Sequence, residues 1–221
     1  MDGIHLQSLI YKGYARAATK IGLAFDQFRP LSAALPLGNK VATVNMAVDS
    51  GKEYTFTSPN EYGDPTWLAL IDDATVQTGD YLVGNNGGLS TSTYFIAGKQ
   101  FLLPVLAIEC NRQLKIERQI TPISVGAQNY GGMTDGNALP LLGNSTHLWP
   151  ASILLGGRSQ NGAGLPAGVK NAGWKILLPP SVPVTIQSSD IITDDLNRRY
   201  AIESAELTDL GWRIQAQEIH A

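Results

Sequence analysis

The stretch SSDIITDDLNRRYAIESAELTDLGWRIQAQEIHA, at residues 188–221, decides the fold class of this chain. Apolar and polar residues alternate with a period of two in the runs 200–205 and 212–217, which follow a short apolar run at 191–192. Asp, Asn and Gly stand at the two breaks between the runs, and these residues favour turns. The pattern therefore predicts a three-stranded antiparallel meander.

The aromatic residues of this meander are in phase with its apolar residues. Tyr200 and Trp212 alternate in step with Ile202, Ile214 and Ala216. Because successive side chains of a strand point to opposite faces, we expect several of these residues to share one buried face and to form a folding core.

The composition indicates an ordered, turn-rich β protein. The 221 residues suffice for one large β domain or two small ones, and 43% of them are hydrophobic while 16% are charged. The 23 glycines and 12 prolines supply many turn formers, and the net charge of −3 gives no electrostatic footprint for nucleic acid. A single cysteine excludes an intrachain disulfide, and no apolar run or leader pattern indicates membrane insertion or export, so we expect folding in a cytoplasm.

Residues 4–23 carry the one strong helical pattern, with apolar residues at three- and four-residue steps. Lys12, Arg16 and Lys20 follow one another at steps of four and mark a separate basic face. This face is either a solvated surface or a partner-binding surface that docks on an acidic neighbour.

The remaining chain divides into an arm and two β modules. Four prolines and little periodicity at 28–65 predict an extended arm, in which 41–48 is a weak strand candidate. The predicted fold class is mainly β, with antiparallel β-barrel or sandwich modules, one N-terminal α-helix and an extended arm. The predicted units are 1–65 (helix and extended arm), 66–144 (first β module, with a Gly-rich insertion at 129–144) and 145–221 (second β module, ending in the meander).

A weak internal repeat links the two modules. Asp80 opens a short strand, which is followed by a turn, an aromatic-led strand from Tyr94 and a strand that ends near Cys110. Asp190 and Tyr200 open the same series in the C-terminal region. Either the chain contains two copies of one small antiparallel module, or two β meanders merely look alike.

Residue types that carry catalysis or bind metals do not form known patterns. The three histidines are far apart in the chain and no Cys-X-X-Cys occurs, which argues against zinc. Cys110 lies in an apolar run typical of a buried thiol, and the Gly-rich run 84–88 leads into a strand and not a helix, so it predicts a hairpin loop. Ser159 lacks the Gly-x-Ser-x-Gly pattern. We therefore expect no catalytic, cofactor or metal site and no enzymatic activity.

Two acidic clusters leave an alternative open. Asp72-Asp73 and Asp190 with Asp194-Asp195 could bind Ca²⁺ or act as acid and base, although Asp194-Asp195 stands where a turn is required. Turn formation is favoured, so we expect Asp194→Ala to cost little stability. The four tryptophans lie in or beside strand-like runs, which predicts packing in a core or subunit interface. They are Trp67, Trp149, Trp174 and Trp212.

The C-terminal stretch also carries a family resemblance. Residues 190–200 follow the form D-I/L-I-x-D-x-x-G/N-R-R-Y, and Gly211 opens G-W-x-hydrophobic-x-hydrophobic. This form resembles the closing hairpins of small β-barrel proteins in the neck of tailed bacteriophages, the head-closure and head-tail joining proteins. Segments across most of the chain resemble a structural protein that such phages encode among their virion genes; they lie at 11–18, 28–30, 65–67, 79–83 and 103–112.

The resemblance implies a structural virion protein that forms a homo-oligomeric ring in the neck, collar or head-tail connector. Its implied partners are portal, adaptor or tail-tube and terminator proteins, with Lys12, Arg16 and Lys20 facing one of them. Genome DNA would pass without specific binding, and no membrane is involved. The protein would be made in the cytoplasm of the host bacterium and reside in the virion. The alternatives are a tail, baseplate or capsid-decorating subunit, or a β-sandwich carbohydrate-binding or hydrolase module.

Overall fold

The computed structural model describes residues 2–49, 63–72, 75–85, 92–119, 138–156 and 173–219. The chain is mainly β, with one helix at the N-terminus, as the sequence predicts. Its elements are α1 (Gly3–Ile21), β1 (Leu23–Phe28), β2 (Lys40–Asp49), β3 (Thr66–Ile71), β4 (Tyr81–Gly84), β5 (Thr93–Lys99), β6 (Val105–Cys110), β7 (Arg112–Gln119), β8 (Ala138–Leu142), β9 (Trp149–Leu155), β10 (Gly173–Leu178), β11 (Ile191–Asp194), β12 (Arg199–Thr208) and β13 (Gly211–Ile219).

The strands form two closed antiparallel barrels. Barrel 1 has the order β1-β2-β3-β6-β5-β4 and closes where β4 pairs with β1. Barrel 2 has the order β7-β9-β10-β13-β12-β11 and closes where β11 pairs with β7, while β8 is an additional strand beside β7. Closure gives every barrel strand two neighbours, so among the described strands β8 alone has an open edge.

The predicted meander is confirmed as β11-β12-β13, with antiparallel pairing between successive strands. Tyr200, Trp212 and the three apolar residues in phase with them are all buried in the core. The tryptophan expectation is also confirmed for Trp149 and Trp212, which are buried, and Trp67 and Trp174 pack against the two cores as partly buried residues.

The prediction of an extended arm at 28–65 is wrong where the chain forms β2 of barrel 1, whereas the weak strand candidate at 41–48 within it is confirmed by β2 (Lys40–Asp49). In β2 the inward residues Val44 and Met46 alternate with Thr43 and Asn45, and the prolines on either side made this short alternation a weak signal. Within the predicted insertion, 138–142 forms β8, whereas 129–137 and most of 50–65 lie outside the described residues. Strand pairing divides the chain near Asn111, and not at residues 65 and 144.

The two barrels share one connectivity. Strands β1 to β6 correspond in chain order and position to β7, β9, β10, β11, β12 and β13. An irregularity in strand pairing also recurs. The pairing register shifts between Ile96 and Gly98 in β5 and between Ile202 and Ser204 in the equivalent strand β12. The structure therefore supports the first interpretation of the internal repeat, two copies of one module.

Equivalent side chains also make equivalent contacts. In barrel 1 the rings of Trp67 and Tyr94 meet edge to face with centroids 6.4 Å apart. In barrel 2 Trp174 and Tyr200 do the same at 5.5 Å. Such pairs favour one ring orientation, so each barrel has the same aromatic contact between its third and fifth strands.

The barrels pack against each other through large side chains. The hydroxyl of Tyr81 in β4 donates to the carbonyl of Pro150 in β9 at 2.7 Å, and its ring meets Trp149 at 6.1 Å. Trp149 in turn donates its indole Nε1–H to the carbonyl of Ala33, in the loop between β1 and β2, at 2.6 Å. One apolar cluster includes residues of both barrels, so the two barrels share part of their core.

Candidate partner-binding surface

Helix α1 begins and ends at residues that satisfy its terminal backbone groups. The Asp2 side chain accepts from the Ile4 amide, and the Gly22 amide donates to the Ala18 carbonyl at 2.8 Å. A Cβ at Gly22 would lie 2.4 Å from the Ala18 oxygen and 2.9 Å from the Met46 backbone. Glycine is therefore required here, because α1 turns directly into β1 against the neighbouring strand β2.

The helix is attached to barrel 1 by a small contact. Ala18 packs on Ala47 of β2 and Leu70 of β3, with Tyr14 and Ala17 at the margin. Ala18 alone among the 19 residues of α1 is fully buried. Most of the helix surface is consequently available to solvent or to a partner.

The three basic residues singled out by the sequence lie on that available surface. Lys12, Arg16 and Lys20 are all exposed, and steps of four along an α-helix place them on one side of α1, away from Ala18. Lys12 also lies at the edge of a cavity between α1 and barrel 1. None of the three forms an ion pair with any residue that the structure describes. Leu9 is exposed on the same side, so the face combines positive charge with an apolar side chain.

A cavity of about 530 Å³ lies between the N-terminal half of α1 and the end of barrel 1. Its lining includes Tyr11 and Tyr14 from the helix and Ile71 and Val105 from the barrel. Burial, with a smaller contribution from Tyr14, raises the pKa of Tyr11 above its usual value. Gln7 accepts from the Leu102 amide at 2.5 Å through Oε1, while its buried Nε2 has no partner.

Exposed apolar residues continue from this end of the helix. Ile4 is 76% exposed, Phe101 61% and Leu103 50%. Phe101 lies close to the start of α1, since a Cβ on Gly3 would be 3.4 Å from its ring. Three large apolar side chains at one end of the molecule form a patch that a binding partner could cover.

The acidic clusters prove to be occupied by hydrogen bonds. Both carboxylate oxygens of Asp72 accept from Asn45, at 2.8 and 2.7 Å, and Asp73 lies outside the described residues. Asp190 pairs with Arg118 and Asp194 with Arg198. Within the described ranges, no group of three or more His, Cys, Asp or Glu side chains could hold a metal ion.

Asp194 anchors the turn between β11 and β12. Its side chain is fully buried and accepts from the Leu196 amide, the Arg198 amide and guanidinium, and the Tyr200 hydroxyl. Burial opposes ionisation of this carboxyl, but the hydrogen bonds from Arg198 and Tyr200 outweigh it and lower its pKa. The Arg198 guanidinium also lies 5.0 Å above the Trp174 ring. Local sequence does not show this convergence, and in view of it we expect Asp194→Ala to cost more stability than a simple turn residue would.

Each barrel contains an Asp–Arg pair that the sequence patterns did not predict. Asp80 accepts from Arg29 Nε at 2.8 Å and Nη2 at 2.9 Å, and from the Gln77 amide at 2.8 Å. Asp190 accepts from Arg118 at 2.7 and 2.9 Å and from the Gln187 amide at 2.9 Å. These hydrogen bonds raise the pKa of both arginines. The signal was present in the strings TVQTGD at 75–80 and TIQSSD at 185–190.

Other candidate residues occupy unreactive or undescribed positions. Cys110 is half-buried at the end of β6, and burial raises the pKa of its thiol well above the usual range, which disfavours the nucleophilic thiolate. His5 and His147 are exposed and far apart in the fold, while His220 and Ser159 lie outside the described residues, as does 86–88 of the Gly-rich run. No helix in the described ranges is long and apolar enough to cross a membrane.

Comparison of the chain with models of protein families, with curated proteins and with solved structures finds no match to any of them.

Proposed function

We propose that this protein is a structural subunit of a tailed-phage virion and forms an oligomeric ring in the neck or head-tail connector. The proposal rests first on the family resemblance of the C-terminal hairpin and of segments along the chain. The observation that supports it best is the exposed face of α1, on which Lys12, Arg16 and Lys20 are unpaired among the described residues.

The architecture suits a particle component. Both barrels are closed, and among the described strands β8 alone is paired on a single side, so we expect contacts between subunits to come mainly from side-chain faces, helices and loops. The basic face of α1 offers such a contact to an acidic protein surface, for which the portal, an adaptor or an adjoining ring is proposed. The net charge of −3 agrees with a channel through which DNA passes without specific contacts.

The test combines oligomeric state with particle assembly. We expect the purified protein to form a discrete symmetric oligomer in light scattering and electron microscopy, and its gene to be required for infectious particles. Arg16→Glu with Lys20→Glu should reduce phage titre in complementation and leave the fold intact, because exposed helix charges contribute only tenths of a kcal/mol. Ser145→Glu, at an exposed position between β8 and β9 of barrel 2, is the control and should leave the titre unchanged.

Two results would contradict the proposal. A protein that stays monomeric at all concentrations and whose loss leaves particles intact is not a connector ring. Submicromolar binding to duplex DNA at physiological salt, abolished by the Arg16 and Lys20 reversals, would make α1 a DNA-contacting element instead.

A further inference from the structure

The repeat relates two covered surfaces, one on each barrel. Leu70 stands three residues after Trp67 in β3 and pairs with Ala47 in β2. Leu177 stands three residues after Trp174 in β10 and pairs with Ser152 in β9. Since Trp67 and Trp174 are equivalent, the outer face of β2 and β3 on barrel 1 is the counterpart of the outer face of β9 and β10 on barrel 2.

One of these two equivalent faces is covered by a barrel and the other by a helix. On barrel 2 the face is covered by barrel 1, since Tyr81 binds Pro150 and since Leu177 lines a groove together with Phe95 and Ile108. Ser152 is fully buried there. On barrel 1 the face is covered by α1, through the cluster of Ala18, Ala47 and Leu70. Helix α1 thus occupies on barrel 1 the place that a whole barrel occupies on barrel 2.

The two covers differ in how firmly they are held. Barrel 1 buries Tyr81 and Phe95 close to barrel 2, next to the fully buried Trp149. Among the α1 residues Ala18 alone is fully buried, and a cavity of about 530 Å³ lies beneath the first turns of α1, similar in size to the groove of about 490 Å³ between the two barrels. Separation of α1 would therefore expose fewer large apolar side chains than separation of the barrels, so we expect α1 to leave barrel 1 more easily.

Barrel 2 of another copy of this chain fits poorly on the face of barrel 1 that lies beneath α1. Barrel 1 covers barrel 2 of the same chain with Ala97, Leu106 and Ile108, among other residues. The register places Glu203, Gln215 and Gln217 at the equivalent positions of barrel 2. The free face of barrel 2 is therefore polar where the docking face of barrel 1 is apolar, which disfavours docking of this face on β2 and β3 of another copy.

We propose that the outer face of β2 and β3 is a latent docking site for a β-barrel, which α1 covers in the free chain. The barrel that fits it presents apolar outward side chains, as barrel 1 itself does toward barrel 2, and belongs to a different protein. The site does not depend on the phage role proposed above, because it follows from the repeat alone.

An engineered copy of this chain supplies the probe. Glu203→Ala, Gln215→Leu and Gln217→Ile give barrel 2 the side chains that barrel 1 uses for docking. Ala18→Glu places a charge in the fully buried contact and releases α1 from the barrel. Thr19→Glu, at an exposed position of α1 next to Ala18, is the matched control that leaves the helix in place.

Sedimentation velocity then measures whether each variant forms species larger than those of the wild-type protein. The triple variant combined with Ala18→Glu should form larger species whose proportion rises with concentration. The triple variant combined with Thr19→Glu should sediment like wild type, and so should the Ala18→Glu single variant. The site is refuted if the fourfold variant keeps native near-UV circular dichroism and does not associate further. It is equally refuted if the triple variant associates to the same extent with α1 in place.

Thiol labelling tests whether α1 separates from barrel 1, and it does not require a destabilised variant. Ala47→Cys lies under α1 and Ser152→Cys lies under barrel 1 at the equivalent position, each in a chain with Cys110→Ala. Under native conditions Cys introduced at 47 should react at least about tenfold faster than Cys at 152, since a tenfold ratio corresponds to about 1.4 kcal/mol of easier opening. Equal rates would show that α1 opens only with the barrels and would overturn the proposal.

Discussion

Replacing Asp190 by Ala should destabilise the protein by about 3 kcal/mol. The buried carboxylate accepts two hydrogen bonds from Arg118 and one from the Gln187 amide, all between 2.7 and 2.9 Å. Removing one partner of a buried ion pair typically costs about 3–5 kcal/mol, because the other charge is left without its partner. The Arg118 side chain is 32% exposed and can regain water, so the lower end of that range applies.

Asp80→Ala is the equivalent change in barrel 1 and should cost about 1 kcal/mol more. Asp80 has the same three contacts with Arg29 and Gln77, and it also accepts from Nε2 of Gln27 at 2.6 Å. Gln27 is fully buried, so the variant leaves one further polar group without a partner, at a typical cost of about 1–3 kcal/mol.

Denaturant unfolding followed by tryptophan fluorescence measures both variants, since barrel 1 contains Trp67 and barrel 2 contains Trp149, Trp174 and Trp212. Glu206→Ala is the control, because Glu206 and Arg213 form an ion pair in which both side chains are 57% exposed, and such pairs contribute about 0–1 kcal/mol. A loss below about 1 kcal/mol for either aspartate, or a loss no larger than that of the control, would refute the view that these pairs hold the barrels closed.

Three further predictions concern single residues. Asp194→Ala should lower the free energy of unfolding by about 3 kcal/mol at neutral pH. Because the pKa of Asp194 is lowered in the folded protein, its stabilising contribution is present above the ordinary value of 3.8 and is lost as the pH falls through the folded pKa. A stability difference between wild type and variant that stays unchanged down to pH 2 would contradict this. Trp212→Ala should cost about 3–5 kcal/mol in chemical unfolding because Trp212 is buried, and a loss under about 1 kcal/mol would place it outside the core. Gly79→Ala should lower the melting temperature, because φ is +91° at Gly79 and the new Cβ would lie 2.6 Å from Ser181. Ser189 is the equivalent residue of barrel 2, with φ of 73°, and Ser189→Gly should not lower the melting temperature. Equal effects of the two changes would argue against the repeat.

Local periodicity made the meander and the helix predictable. Both depend on residues within about ten positions of each other, and strands β11 to β13 and helix α1 lie where alternation and three- or four-residue steps place them. The basic face was also predictable, because a spacing of four fixes the relative direction of Lys12, Arg16 and Lys20 once the helix exists. What those residues bind is a property of a second molecule, so it stays a prediction.

Barrel closure was not predictable from local pattern. Strand β1 has six residues and pairs with β4, more than fifty positions away, so its role is set by a distant partner. Arg29 and Asp80 are likewise separated by 51 positions, and neither is unusual in its own neighbourhood. Only a comparison of 75–80 with 185–190 could have shown that this aspartate recurs with the same surroundings.

The repeat separates residues that build a barrel from residues that give this chain its role. The Asp–Arg pair, the Trp–Tyr contact and the shift of register occur in both barrels, so changes there test closure and stability and not function. The barrels differ on their outer faces, where Ala97 corresponds to Glu203, and at the cover of the β2–β3 face, where α1 replaces a barrel. Because these differences are exposed or weakly held, they can change partners without loss of the fold. Variants at α1 and on the free face of barrel 2 are therefore the ones that discriminate between interaction and folding.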